Sequence, residues 1–229
     1  MTLRLRCVSA LAWMLALAVV LGCHPEPEKK KLKIDREKSS AMRKSTNAQR
    51  SVDKPAVKIE AAREAAPTAI PAVTLSNELL ATCLVKVGDR LPDAELPDTT
   101  GKRQSLSGVA GPKLTVVFVW EADGEYAVSA LEDLDADVAK PYLDKGVRVI
   151  GIDLRDAADT VKGVVQQAGA GFPILLDSDG AYFAQIATDK VPRTYLLDAQ
   201  GKVLWFDVEY SRGTRRDLLA AIEVALTKN

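Results

Sequence analysis

The segment Leu114-Thr115-Val116-Val117-Phe118-Val119-Trp120 limits the possible folds more than any other part of this chain. Seven consecutive β-branched, apolar or aromatic residues leave no polar face to turn toward water, so the run predicts a strand buried on both sides at the centre of a sheet. Layers must then cover both faces. Downstream, Ala127, Leu131, Leu134, Val138 and Tyr142 recur at helical spacing, with Pro141 kinking the end and Gly146 closing it. Val147–Ile152 reads as the next strand, and Asp156 as the cap of a helix lined by Ala158, Val161, Val165 and Ala168.

The rest of the chain continues the alternation. Ile174–Leu176, a short helix near 181–187, Thr194–Leu197, the turn at 198–201, Val203–Val208 and a last helix over about 214–226 follow in order. Before the central strand, Ser76–Val85 reads as helical or extended, and Leu96-Pro97-Asp98-Thr99-Thr100-Gly101-Lys102 as the turn of a hairpin at a sheet edge. Strands alternating with helices, then a hairpin and a helix, imply an α/β/α three-layer sandwich on a mixed sheet.

The balanced totals of 31 basic and 31 acidic side chains conceal a division along the chain. Residues 1–22 hold two arginines and no acid, residues 23–64 hold 12 basic against 7 acidic groups, and residues 65–229 hold 17 basic against 24 acidic ones. An acidic body argues against a nucleic-acid partner, because phosphate neutralisation needs clustered Lys and Arg. With one His and no Cys-x-x-Cys, the sequence offers no zinc-finger ligand set, and no metal or cofactor is expected.

The first 22 residues read as an export signal: Arg4 and Arg6, then an apolar run from Val8 to Leu21 that is shorter than a membrane-spanning helix. Val20-Leu21-Gly22-Cys23 resembles a bacterial lipobox, which implies cleavage before Cys23, a diacylglyceryl group on its thiol, and a domain facing the periplasm or the exterior. His24 stands where the resemblance would put an aspartate for inner-membrane retention, which points to the outer membrane. Residues 23–75 carry Lys29-Lys30-Lys31, scattered Ser and Ala and several prolines without a sustained apolar period, and are expected to form a disordered basic tether. The folded domain is expected over 76–229.

Several motifs of that domain, in order, resemble the thioredoxin-like superfamily, in its redoxin branch of TlpA-like thiol-disulfide oxidoreductases and alkyl-hydroperoxide-reductase relatives. They are Val87-Gly88-Asp89 with Pro92, the segment from Leu96 to Ser107, the strands LTVVFVW and VRVIGID, and Val191-Pro192-Arg193-Thr194-Tyr195-Leu196-Leu197-Asp198 with Gly201 and Lys202. The resemblance implies a cis proline at Pro192 whose preceding residue, Val191, faces the active site and can pair with an extended peptide.

It also implies a Cys-x-x-Cys soon after Trp120, where the helix N-terminus would stabilise a thiolate. Here the chain reads Trp120-Glu121-Ala122-Asp123-Gly124-Glu125-Tyr126-Ala127, with Gly124 and Ala127 at the two cysteine positions and no peroxidatic Thr-x-x-Cys. Asp123 is expected to cap the helix and Glu125 to sit in its first turn. The alternative for Glu121, Asp123 and Glu125 is a carboxylate cluster for acid–base work or for a cation.

After processing, Cys83 would be the one free thiol. It reads either as an inert buried residue or as the single thiol of a weak oxidoreductase or peroxidase. Arg212, Arg215 and Arg216 gather at the start of the last helix, as a salt-bridge network with Asp207 and Glu209 or as a patch for a partner or an anion. The expected function is a lipid-anchored thioredoxin-like module that binds peptide or protein in envelope redox or protein homeostasis.

Overall fold

The structure, a computed structural model, describes residues 67–228. The leader, Cys23, and the tether up to residue 66 lie outside the described residues. Strand β3 (Leu114–Trp120) is buried at every position and lies at the centre of a five-stranded sheet of order β5-β4-β3-β6-β7. Strands β4 (Val147–Leu154) and β5 (Ile174–Asp177) run parallel to it; β6 (Arg193–Asp198) is antiparallel to β3, and β7 (Val203–Val208) to β6.

The two-residue period of β3 sends its side chains into two separate cores. Leu114, Val116, Phe118 and Trp120 enter one, covered by α3 (Ala127–Leu134), α4 (Ala158–Ala168) and α6 (Arg212–Lys228) through residues such as Leu131, Val161 and Ile222. Val117 and Val119 enter the other, closed by α5 (Phe183–Ile186) and by the segment that carries Cys83, Val85 and Leu91. This is the expected three-layer, thioredoxin-like arrangement. Ile70, Val73 and Leu75 already pack against these cores, ahead of α1 (Asn77–Ala81) and its Ser76 cap.

Three local expectations give way to other contacts. The hairpin β1 (Glu95–Pro97) and β2 (Arg103–Ser105) forms its own two-stranded sheet, joined to the main sheet by a backbone bridge from Asp98 to Leu175 and by Leu96, which enters the core. Its turn is closed by Asp98, whose carboxylate accepts from Thr100 and Lys102 and from Gln104; the bond from the Thr100 hydroxyl leads in holding it down at about 2. Helix α2 (Leu106–Val109) follows at once, capped by Ser105.

The long helix after the central strand does not run on to Pro141. It ends at Leu134 and widens into a π-helical turn, Asp135–Ala139, in which the Lys140 amide donates to the Asp135 carbonyl. The buried Asp135 carboxylate is drawn sideways, accepting from the Gly171 amide at 3.0 Å and pairing with Lys140. At α4 the residue before the helix is Ala157, with no side-chain cap, because Asp156 accepts from the Ala122 amide at 2.6 Å instead. The final helix, Arg212–Lys228, is longer at both ends than the 214–226 expected.

Gly111 marks the tightest approach at the base of β3. A Cβ there would run into the Leu114 carbonyl and come within 2.9 Å of the Arg148 amide and the Gly146 carbonyl, all of them backbone atoms that cannot rotate away. Gly111→Ala should therefore cost roughly 2–4 kcal/mol in urea denaturation. A loss below about 0.5 kcal/mol would show that the loop has room to shift.

Candidate functional site

The site lies where the chain leaves the C-terminal ends of β3 and β4, the end of an open α/β sheet at which ligands are usually bound. Glu121 to Tyr126 form a backbone turn: the Gly124 amide donates to the Glu121 carbonyl at 3.1 Å, and the Ala127 amide to the Gly124 carbonyl at 3.0 Å. Helix α3 opens only at Ala127, after Tyr126, without a side-chain cap. Asp123 is thus not the expected cap and Glu125 precedes the first turn, because this backbone turn leads into the helix in their place. Gly124 is exposed, and Ala127 is buried against the core.

A cleft of about 410 Å³ opens beside this turn. Trp120, Tyr126 and Tyr210 give it aromatic walls; Glu121, Glu125 and Glu209 supply its charge; Val191 and Pro192 close the far side across a cis peptide bond. Phe118 supports Tyr210 edge-on, with ring centroids 5.8 Å apart. Glu209 has a left-handed backbone, φ 72°, and its amide donates to the Pro192 carbonyl at 2.8 Å. That bond ties the end of β7 to the proline loop.

Behind the cleft is an acid that the sequence reading overlooked. Asp153 ends β4 directly opposite Trp120 and has no exposed surface. Its Oδ1 accepts from the Asp156 amide at 3.1 Å, while Oδ2 and the indole Nε1 of Trp120 have no partner among the described residues. Burial, then the Asp156 charge, pushes the Asp153 carboxyl up to about 7, and Glu121 contributes further. Glu121 is itself raised, first by burial and then by Asp123 and Asp156, with partial relief from Arg155. The signal was present: an acid closing the otherwise apolar VRVIGID strand, parallel to β3, has to arrive at the same end of the sheet.

Cys83 sits elsewhere. It belongs to the core on the opposite face of the sheet from Trp120 and Ala127, and is 5% exposed. Its thiol donates to the Leu79 carbonyl at 3.3 Å and accepts from Arg193 Nη1 at 3.2 Å. Arg193 follows the cis proline and is entirely buried; its Nε donates to the Lys190 carbonyl at 2.7 Å, and Nη2 to the Asp189 carbonyl and the Thr82 hydroxyl at 2.5 Å each. No ion pair to Arg193 occurs among the described residues. Arg193 therefore links the Cys83 segment to the loop that borders the cleft.

The arginine cluster at α6 pairs differently from the expectation. Arg215 reaches Asp133, at 2.5 Å, and Asp137 on the adjoining α3 and π-turn, and Arg216 pairs with Asp217 at 2.8 Å. Asp207 instead accepts from the Thr214 hydroxyl at 2.8 Å. Arg215 points toward α3 and away from β7, so the network fastens two helices of one layer. Arg212 is exposed. Among the described residues, no group of three His, Cys, Asp or Glu side chains is arranged to hold a metal ion.

Comparison with known proteins settles the family. The profile of the AhpC/TSA family matches residues 87–206, more than half of the chain. The chain belongs to this family. It is similar to the thiol-disulfide oxidoreductase ResA of Bacillus subtilis, 25% identical over 122 residues that span 52% of this chain and 66% of that protein. It also resembles the thioredoxin-like protein YneN of the same organism, 27% identical over 139 residues, 58% of this chain and 77% of that one.

Among solved structures, one assigned as the thiol:disulfide interchange protein DsbE of Chlorobium tepidum superposes with a TM-score of 0.57 at 24% identity, covering 62% of this chain and 99% of that one. Peroxidoxin BcpB of Mycobacterium tuberculosis gives 0.53 at 24% identity, covering 63% and 97%. Structural likeness at this level of identity speaks for the thioredoxin-like fold alone. The chain is thus a thioredoxin-like member of AhpC/TSA with thiol-disulfide oxidoreductases among its relatives.

Proposed function

We propose that this chain is a lipid-anchored, extracytoplasmic thioredoxin-like domain that has lost the dithiol of its relatives and uses the remaining cleft to bind an extended peptide or protein segment. The observation that carries this reading is the cleft itself: Gly124 and Ala127 stand where sulfur would be needed, while aromatic walls and the Val191-Pro192 loop remain. Neither a methylene nor a methyl group can attack a disulfide or a peroxide. Fold without the reacting groups does not carry the reaction.

The backbone amide and carbonyl of Val191 have no hydrogen-bond partner among the described residues. A strand laid alongside could use both, as in peptide recognition by strand addition. The basic tether and Cys23, with its lipobox-like setting, would hold the domain at the envelope surface, on the outer membrane, as part of redox or protein homeostasis there.

A second reading, a thiol-disulfide oxidoreductase or peroxidase that uses Cys83 alone, has one specific contact in its favour: the guanidinium of Arg193 against the Cys83 sulfur. The two readings separate in one assay. Insulin-disulfide reduction and peroxide consumption by the wild-type protein and by Cys83→Ser are expected to stay equal and at the uncatalysed rate. Robust turnover in the wild type that disappears in Cys83→Ser would overturn the binding reading in favour of the thiol.

A further inference from the structure

The geometry points to a cationic side chain, lysine or arginine, in the middle of an extended peptide as what the cleft selects. This inference rests on the reading of the cleft as a peptide site and adds its specificity. Three carboxylates, Glu121, Glu125 and Glu209, line the cleft, and no lysine or arginine does. None of the three has an ion pair or a side-chain hydrogen bond among the described residues. On the adjoining helices, by contrast, Asp133 and Asp137 take Arg215, and Asp135 takes Lys140. The cleft thus gathers three carboxylates with no direct ion pair among the described residues, and Arg155 offsets the charge of Glu121 only in part.

The surroundings raise the value of a visiting cation. Asp123, Asp156 and Asp189 all press on Glu121, and only Arg155 relieves it. An ammonium or guanidinium group would replace that repulsion with attraction, in a space partly screened from water by Trp120 and Tyr210. Tyr126, 55% exposed at the mouth, and Tyr210, half-buried along the wall, present ring faces and edges to the same space. A cation among aromatic rings and carboxylates gains from both, and the aliphatic stem of lysine or arginine matches the apolar wall.

Position is fixed as well as charge. The left-handed backbone of Glu209 is held by the bond from its amide to the Pro192 carbonyl, so its carboxylate stays beside the loop whose Val191 amide and carbonyl are open. A peptide strand paired with Val191 would direct alternate side chains into the cleft and away from it. One side chain, next to the paired residue, meets the three acids. A lysine or arginine there is favoured, a neutral residue is tolerated, and an acid is repelled.

The test uses the full-length protein and short end-blocked peptides of alanine and valine whose central residue is lysine, arginine, glutamine or glutamate, with binding followed by fluorescence anisotropy. Lysine and arginine peptides should bind about tenfold more tightly than the glutamine peptide, and the preference should shrink with added salt. Glu209→Gln and Glu121→Gln should each remove most of that preference, weakening the lysine and arginine peptides by more than the glutamine peptide. Equal binding of the lysine and glutamine peptides would overturn the cationic specificity and leave peptide binding standing. Binding of none of the peptides would overturn both. Putrescine alone binding as tightly as the lysine peptide would overturn a peptide as the occupant.

Discussion

Asp153→Asn is expected to free the domain from a loss of stability that the wild type suffers as pH rises through neutrality. In the fold this carboxyl keeps its proton up to about pH 7, whereas the unfolded chain releases it near the ordinary value of 3.8. Between those two values the folded state therefore binds the extra proton. Stability contributed by this group is full below pH 3.8, declines as pH rises, and is gone above about 7. From about pH 5 to about pH 8 the wild type should lose roughly 2–3 kcal/mol relative to Asp153→Asn.

Part of the penalty comes from the neighbouring charges of Asp156 and Glu121. Urea denaturation of both proteins across that range measures the difference, and the other titrating acids largely cancel in the comparison. Parallel pH profiles would show that Asp153 is not held protonated by burial. The physical cause is plain: a carboxylate with no exposed surface, one oxygen without a partner and two acids for neighbours is costly to ionise.

Arg193→Ala should cost about 3–5 kcal/mol, a large share of the stability of a domain this size. The guanidinium donates to two backbone carbonyls, a hydroxyl and a thiol, all in a buried setting, and its removal leaves the Lys190 and Asp189 carbonyls without that donor. Where the variant folds, Cys83 should react with thiol reagents at least about tenfold faster than in the wild type, because local opening becomes easier. Thr82→Val, which removes one acceptor and keeps the arginine, should cost only about 1–2 kcal/mol. A loss below about 1 kcal/mol for Arg193→Ala would mean that the proline loop is held by other contacts.

The layers of the fold could be read from short stretches of sequence because they depend on period. LTVVFVW had to be central, and the spacing of Ala127, Leu131 and Leu134 had to face it. What escaped was decided by contacts between distant segments. Asp156 looks like a helix cap in its local sequence, but the Ala122 amide, 34 residues earlier, lies nearer to its carboxylate. Asp135, at the start of the widened turn, receives the amide of Gly171 from another loop 36 residues on. Arg215 turns to Asp133 and Asp137 because α6 packs against α3, a neighbour that the sequence around Arg215 does not name.

The site divides in the same way. Trp120, Glu121, Asp123, Gly124, Glu125, Tyr126, Ala127, Val191 and Pro192 were identified from motifs, and all of them but Asp123 line the cleft. Glu209 and Tyr210 join them only because the end of β7 is tied to Pro192, and Asp153 lies behind because β3 and β4 are parallel and in register. Cys83 had no sequence neighbour to suggest its role; its partner Arg193 stands 110 residues away.

The most direct measurement is an amide-resolved NMR titration of the isotope-labelled full-length protein with the lysine-centred peptide. The expected result is a set of shifts concentrated at Glu121–Ala127, Val191 and Glu209–Tyr210, with the amides of Thr82, Cys83 and Leu84 little moved. Shifts centred on Thr82–Leu84, or spread over the surface away from the cleft, would contradict a peptide site at the proline loop.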